Sequence, residues 1–147
     1  MLTDDQLEQL AQKMDFKTAG CFFKDSLPKK IQYNTGYFVN LDDQYDAEGH
    51  LNSGSHWTCF QVHKYPNGKI EPLYFDPFGI PPPEQVKNFV KEITGKGLPY
   101  NKKDSRSLMN NACGWYCAAY LHWINANPLE LVIYIRIQKH FYLYLMI

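Results

Sequence analysis

The sequence predicts an α+β protein, in which a small mixed β-sheet is packed with helices. A hairpin is indicated by two strand-like segments, 56–63 and 70–75, on either side of the turn-forming residues Pro66-Asn67-Gly68-Lys69. Apolar residues recur at helical spacing in residues 4–14, which open with a capping-box pattern. They do so again in residues 86–93, in a helix that we expect to start with Pro81-Pro82-Pro83-Glu84 and to stop at Gly95. The 147 residues are 45% hydrophobic, which suits one domain, residues 1–147, with its own core.

The rest of the chain has a less regular pattern. We expect a loop with short pieces of structure over residues 15–35, a strand over 37–41 and a surface loop over 42–55. Residues 98–100 suggest a short further strand. The tail, residues 129–147, alternates apolar and polar residues like a terminal strand, but charged residues interrupt it too often for a membrane span.

Charge and cysteine usage narrow the class of protein. Fifteen basic residues balance fifteen acidic ones, so there is no electrostatic footprint for nucleic acid or for an anionic membrane surface. The acidic, polar start does not resemble a signal peptide. We therefore expect a reducing, intracellular compartment and free thiols at the four cysteines, which are Cys21, Cys59, Cys113 and Cys117.

A candidate nucleophile lies at Cys113. Polar residues precede it, Gly114 follows it, and an apolar run typical of a helix continues to Asn125. A thiol at a helix N-terminus meets unpaired N–H groups and the positive end of the helix dipole, both of which favour the thiolate. The competing interpretation is a buried structural cysteine at the start of a core helix, and the Cys-Gly pair alone favours that interpretation.

A base and an orienting acid are available on the predicted hairpin. Of the five histidines, His56 begins a strand directly after Gly54 and Ser55, where an imidazole can face a cleft. Asp76 closes the partner strand, where its carboxylate can accept the second imidazole N–H and stabilise the imidazolium. Together with Cys113, these residues would form a cysteine–histidine–aspartate site.

Three ordered blocks resemble a known family. Gly54-Ser55-His56-Trp57, the segment from Tyr74 to Gly79 and the segment from Ala112 to Cys117 are similar to the adenovirus maturation protease family, adenain, in the clan of SUMO and ubiquitin-like-protein proteases. The resemblance covers about residues 36–127. It implies an adenain-like fold with the nucleophile at the N-terminus of a buried helix, His56 as base, Asp76 as orienting acid and Cys113 as nucleophile.

The resemblance also implies a function. Its character is closest to maturation proteases of virophages and polinton-type elements, which suggests a monomeric viral cysteine endopeptidase without a cofactor. Its substrates would be capsid or core precursor proteins, cut at glycine-containing sites in the virion or the host-cell interior (viral factory, cytoplasm). An activating peptide is a further expected partner; nucleic acid and membrane are not.

Two departures from the family concern the site. Asp76 stands where adenain has glutamate. The clan usually places a glutamine, an oxyanion-hole donor, six or seven residues before the cysteine, whereas Ser107 and Arg106 stand there in this chain. The candidate donors are therefore the Cys113 backbone N–H together with a second group, which is Ser107, Arg106 or one of the Asn110-Asn111 amides. Trp57 and Gly114 are supporting residues, and we expect Trp57 to pack on His56.

Other functions remain open at this point. The clan also includes deconjugating proteases for ubiquitin-like modifiers, and effector-type acetyltransferases use a similar triad. A virion structural protein with a decayed, non-catalytic protease fold is the non-enzymatic alternative, and the missing glutamine favours it. Cys113 and Cys117 lack two further ligands at zinc-site spacing, so we expect no metal.

Overall fold

A computed structural model describes residues 2–52, 54, 56–101 and 112–126. This part of the chain is an α+β fold, as predicted, with a four-stranded mixed sheet and three helices. The sheet order is β1-β2-β3-β4; β1 is parallel to β2, and the other neighbours are antiparallel. The strands are β1 (Thr18–Phe23), β2 (Gly36–Asn40), β3 (Trp57–Lys64) and β4 (Ile70–Phe75), and the helices are α1 (Asp4–Lys13), α2 (Glu84–Thr94) and α3 (Cys113–Ala126).

The helix ends follow local sequence rules. The Thr3 side chain accepts the Gln6 backbone N–H at 3.2 Å, and the Gln6 side chain accepts the Thr3 N–H at 2.9 Å, which confirms the predicted capping box of α1. Three prolines precede α2, and Gly95 ends it in the left-handed region at φ 71°. Glycine reaches that conformation without steric cost, so α2 stops where the sequence predicts.

The sheet carries helices on both faces. Alternate side chains of a strand point to opposite sides, so Phe38 and Cys59 face the cluster formed with α1 and α3. Tyr37 and Phe60 face the other way, toward the apolar side of α2. The sheet is therefore buried on both faces, and α3 rests against its central strands.

Two close contacts set the position of α3. Gln61 on β3 and Asn125 on α3 exchange amide hydrogen bonds of 3.0 and 2.9 Å. Leu121 lies over Gly36, where an added Cβ would come within 2.7 Å of the leucine Cδ1. Because glycine leaves room there, α3 can lie close to β2 as well as β3. The two contacts together constrain the orientation of α3 on the sheet.

Three expectations differ from the structure or lie outside it. The segment 15–35, expected to be mainly loop, contains β1, and its strand character was hidden by Gly20, which has φ 125° beside a register shift. Residues 98–100 supply only an isolated bridge between Tyr100 and Tyr74. The tail 129–147 lies outside the described residues. Among the helices described, none has the length and apolar character needed to cross a bilayer.

Candidate active site

Cys113 is the first residue of α3, as the sequence predicts, and only 6% of its surface is exposed. Its sulfur accepts the Trp57 backbone N–H at 3.4 Å. Gly114 follows because the start of α3 packs closely against α1: an added Cβ would lie 3.2 Å from methyl groups of both Leu2 and Leu7. The thiol thus lies where a helix N-terminus meets the first backbone N–H of β3.

His56 lies immediately before β3 and is 8% exposed. Its Nε2 is 2.7 Å from Asp76 Oδ1, and the Cys113 thiol lies near enough to the ring to influence the pKa of His56. Since Nε2 is bonded to the carboxylate, Nδ1 is the nitrogen left for the thiol. Two positions earlier, Gly54 has φ 90°, and a Cβ there would overlap the Asn40 side-chain amide, so this position favours glycine.

Asp76 follows β4 directly, and none of its surface is exposed. Its backbone N–H donates to Asn101 Oδ1 at 2.9 Å, and Asn101 Nδ2 donates back to the Asp76 carbonyl at 2.6 Å. The Phe78 N–H donates to Oδ1 at 2.7 Å, so this oxygen serves both Phe78 and His56. Oδ2 has no hydrogen-bond partner among the described residues. Asp76 is thus fixed at two points, because its main chain is bonded to Asn101 and its Oδ1 is bonded to Phe78 and His56.

The charges of the site favour an ion pair. Burial by itself lowers the pKa of His56, but the hydrogen bonds and negative charges of Asp76 and Cys113 outweigh burial and raise that pKa to about 9. Burial by itself raises the pKa of the Cys113 thiol, but the hydrogen bonds from His56 and the Trp57 N–H, with the imidazolium charge, bring it below its ordinary value. Both shifts therefore act in the direction of a thiolate and an imidazolium, which is the pair required for nucleophilic attack followed by proton donation.

The structure brings His56, Asp76 and Cys113 together in the order that the sequence predicts. Ser107, Arg106, Asn110 and Asn111 lie outside the described residues. The Cys113 backbone N–H belongs to the first turn of α3, where a helix leaves such groups without an internal partner.

The surroundings of the site differ from expectation in two respects. Trp57 was expected to pack on His56, but its ring faces the α1–α3 side, where Nε1 donates to the Leu2 carbonyl at 2.8 Å, and the ring stacked on His56 is that of Phe78. Asn101 was missed altogether. It lies 25 positions after Asp76, and nothing local in the sequence marks that contact.

The other cysteines have different surroundings. Cys59, for which the sequence favours a buried apolar position, is fully buried, and so is Cys117. Cys117 donates to the Trp57 carbonyl at 3.4 Å, and burial raises its pKa well above the ordinary value. Cys21, expected to be buried, is only partly so, and burial followed by the charges of nearby acidic residues raises its pKa. No cluster of three or more metal-ligating side chains occurs among the described residues.

We expect brief treatment with iodoacetamide near neutral pH to label Cys113 first, because the reagent attacks the thiolate. Peptide mass spectrometry measures the rate at each cysteine between pH 6 and 8. Labelling of Cys21 should fall about tenfold per unit of decreasing pH, whereas that of Cys113 should fall less steeply, since its pKa is lowered. In the control variant His56→Ala the labelling of Cys113 should slow. Faster labelling of Cys21, Cys59 or Cys117 than of Cys113 would contradict the assignment.

The described residues define an α+β protein in which a buried carboxylate is hydrogen-bonded to an imidazole, and the imidazole lowers the pKa of a thiol at a helix N-terminus. No protein-family model matches the chain. A search of curated proteins likewise gives no significant match.

Proposed function

We propose that this protein is a cysteine endopeptidase with an adenain-like fold, in which Cys113 is the nucleophile, His56 the base and acid, and Asp76 the orienting group. The observation that carries the proposal is the bonding of His56. Asp76 Oδ1 holds Nε2 at 2.7 Å, so the tautomer is fixed and the other nitrogen is directed to the thiol. A buried structural cysteine would need neither an imidazole partner nor a carboxylate behind that imidazole.

The geometry supports hydrolysis in two stages. The Cys113 thiolate attacks the substrate carbonyl carbon, and the developing oxyanion accepts the Cys113 backbone N–H together with a second donor, for which Ser107 and Arg106 remain candidates. The protonated His56 gives its proton to the leaving amine as the C–N bond breaks, which leaves a thioester. His56, now neutral, removes a proton from water, whose oxygen attacks the thioester, and the carboxylic acid and the thiolate–imidazolium pair are restored.

The substrates follow from the resemblance described above, which suggests capsid or core precursor proteins, cut at glycine-containing sites.

The proposal is tested by incubating the protein with an unselected library of peptides made by digestion of a proteome, and by sequencing the new termini with mass spectrometry. Parallel reactions contain conjugates of ubiquitin-like modifiers, or acetyl-coenzyme A with serine-, threonine- and lysine-containing peptides. Cys113→Ala is the matched control in every reaction. We expect new peptide termini with the parent chain that are absent with the variant.

The outcomes separate the candidate functions. Cleavage restricted to the modifier conjugates would assign the protein as a deconjugating protease, and acetylation without cleavage would assign it as a transferase. The absence of any Cys113-dependent product in all reactions would overturn the proposal in favour of a non-catalytic structural protein.

A further inference from the structure

The ring of Phe78 lies flat against the imidazole of His56. The two ring centroids are 4.3 Å apart, and the planes differ by only 4°. Two neutral aromatic rings prefer an offset or an edge-to-face arrangement, because each face carries negative charge. A cationic ring is instead attracted to an aromatic face. The contact between the Phe78 face and the imidazole therefore becomes more favourable when the imidazole is protonated.

The turn after β4 holds this stack in place. The Gly79 N–H donates to the Asp76 carbonyl at 2.8 Å, and the Phe78 N–H donates to Asp76 Oδ1 at 2.7 Å. Gly79 adopts φ 71°, a conformation that favours glycine. The carboxylate oxygen that holds His56 Nε2 thus also holds the main chain of Phe78, and both rings are positioned from one atom.

We propose that Phe78 is a positioning residue of the proposed active site, whose ring face fixes the plane of the His56 imidazole and favours its protonated form. The inference rests on the proposed function, in which His56 must stay protonated until the leaving amine departs. Phe78 acts through His56 and takes no part in the transfer of the proton. The titratable groups that act on His56 are Asp76 and Cys113, and both favour the cation as the ring does.

The ring has a second effect in the same direction. It covers one face of an imidazole whose side chain is only 10% exposed, and so keeps water from the bond between Nε2 and Asp76. A charged hydrogen bond is stronger where water is excluded. Loss of the aromatic face and entry of water should both make the protonated form of His56 less stable.

The test follows the His56 ring signals by NMR from pH 5 to 10 in the Cys113→Ala background, where the titration is not coupled to the thiol. We expect Phe78→Leu to lower the measured pKa of His56 by roughly half a unit. It should also remove the ring-current shift of the His56 protons. Phe78→Tyr, which keeps the aromatic face, should retain both. The matched control is Phe89→Leu, which removes a phenylalanine ring on α2, on the other face of the sheet.

The titrations decide the proposal. An unchanged His56 pKa in Phe78→Leu, or an equal loss in Phe78→Tyr, overturns it. Phe78→Met replaces Phe78→Leu if Phe78→Leu loses the thermal unfolding transition of the parent. The absence of a ring-current shift on His56 in the Cys113→Ala protein with Phe78 intact would contradict the stack itself. None of these measurements requires turnover, so a failure of the proposed protease function would be recognised separately, by the absence of peptide cleavage.

Discussion

Replacing Cys113 with alanine should abolish peptide hydrolysis, with a loss in kcat on the order of 10⁴-fold or more, because no other group can form the thioester. The fold should survive, since the change removes one sulfur atom that is buried but borders the surface. We expect the free energy of unfolding to fall by only about 1 kcal/mol. Turnover of a quenched fluorescent peptide and urea unfolding measure the two effects.

Cys117→Ala is the matched control for this prediction. Cys117 lies one turn further along α3, is fully buried and donates to the Trp57 carbonyl, so its loss should affect stability rather than turnover. Retention of activity in Cys113→Ala together with its loss in Cys117→Ala would contradict the assignment and make Cys117 the nucleophile.

Replacing Asp76 with asparagine should lower kcat/KM about a hundredfold or more near pH 8. The asparagine oxygen can still accept the His56 and Phe78 N–H groups, so the tautomer is kept, but the negative charge that stabilises the imidazolium is lost. The amide nitrogen would take the place of Oδ2, which has no hydrogen-bond partner among the described residues.

The pH dependence gives the sharper measurement. The folded pKa of His56, about 9, lies above its ordinary value of about 6.5, so the stabilisation from its charge is complete below pH 6.5 and is lost as the pH rises through 9. Activity that requires the imidazolium should fall over the same alkaline range, and at the acidic end it should fall as the thiolate is protonated. In Asp76→Asn the alkaline limb of kcat/KM should move to lower pH.

An exposed aspartate–histidine pair supplies the control for this second prediction. Asp46 Oδ2 lies 3.6 Å from His50 Nδ1 on the surface loop, where the His50 side chain is 74% exposed. Asp46→Asn removes the same charge from the same kind of pair and should leave the pH profile of activity unchanged. Identical profiles for the parent and Asp76→Asn would mean that another group orients His56.

Local chemistry accounts for the parts of the fold that could be predicted. The hairpin of β3 and β4 follows from a strand–turn–strand pattern, α1 from its capping box, and α2 from prolines before it and Gly95 after it. β1 escaped prediction because its pairing with β2 is long-range and parallel, and Gly20 interrupts its pattern. The adenain-like identity of the fold remains a proposal.

The site was predictable to the same extent. His56 and Asp76 close the same hairpin, so their proximity follows from its register, and the glycine after Cys113 indicated a helix start. The hydrogen bond from the Trp57 backbone N–H to the Cys113 sulfur depends on how α3 packs against β3, and no local sequence pattern encodes that packing. The pairing of Asn101 with the Asp76 main chain is likewise a product of tertiary packing.

The spacing of the site residues has a consequence for the order of folding. His56 and Asp76 are 20 positions apart on one hairpin, whereas Trp57 and the Cys113 thiol that it contacts are 56 positions apart. Hairpins form in about 1–10 μs, while contacts between distant segments must first overcome the entropy of ordering the chain between them. The imidazole–carboxylate pair should therefore assemble early, and the thiol should join it only when α3 docks. Until then Cys113 has only the reactivity of an ordinary thiol, and it gains its lowered pKa when α3 docks beside His56.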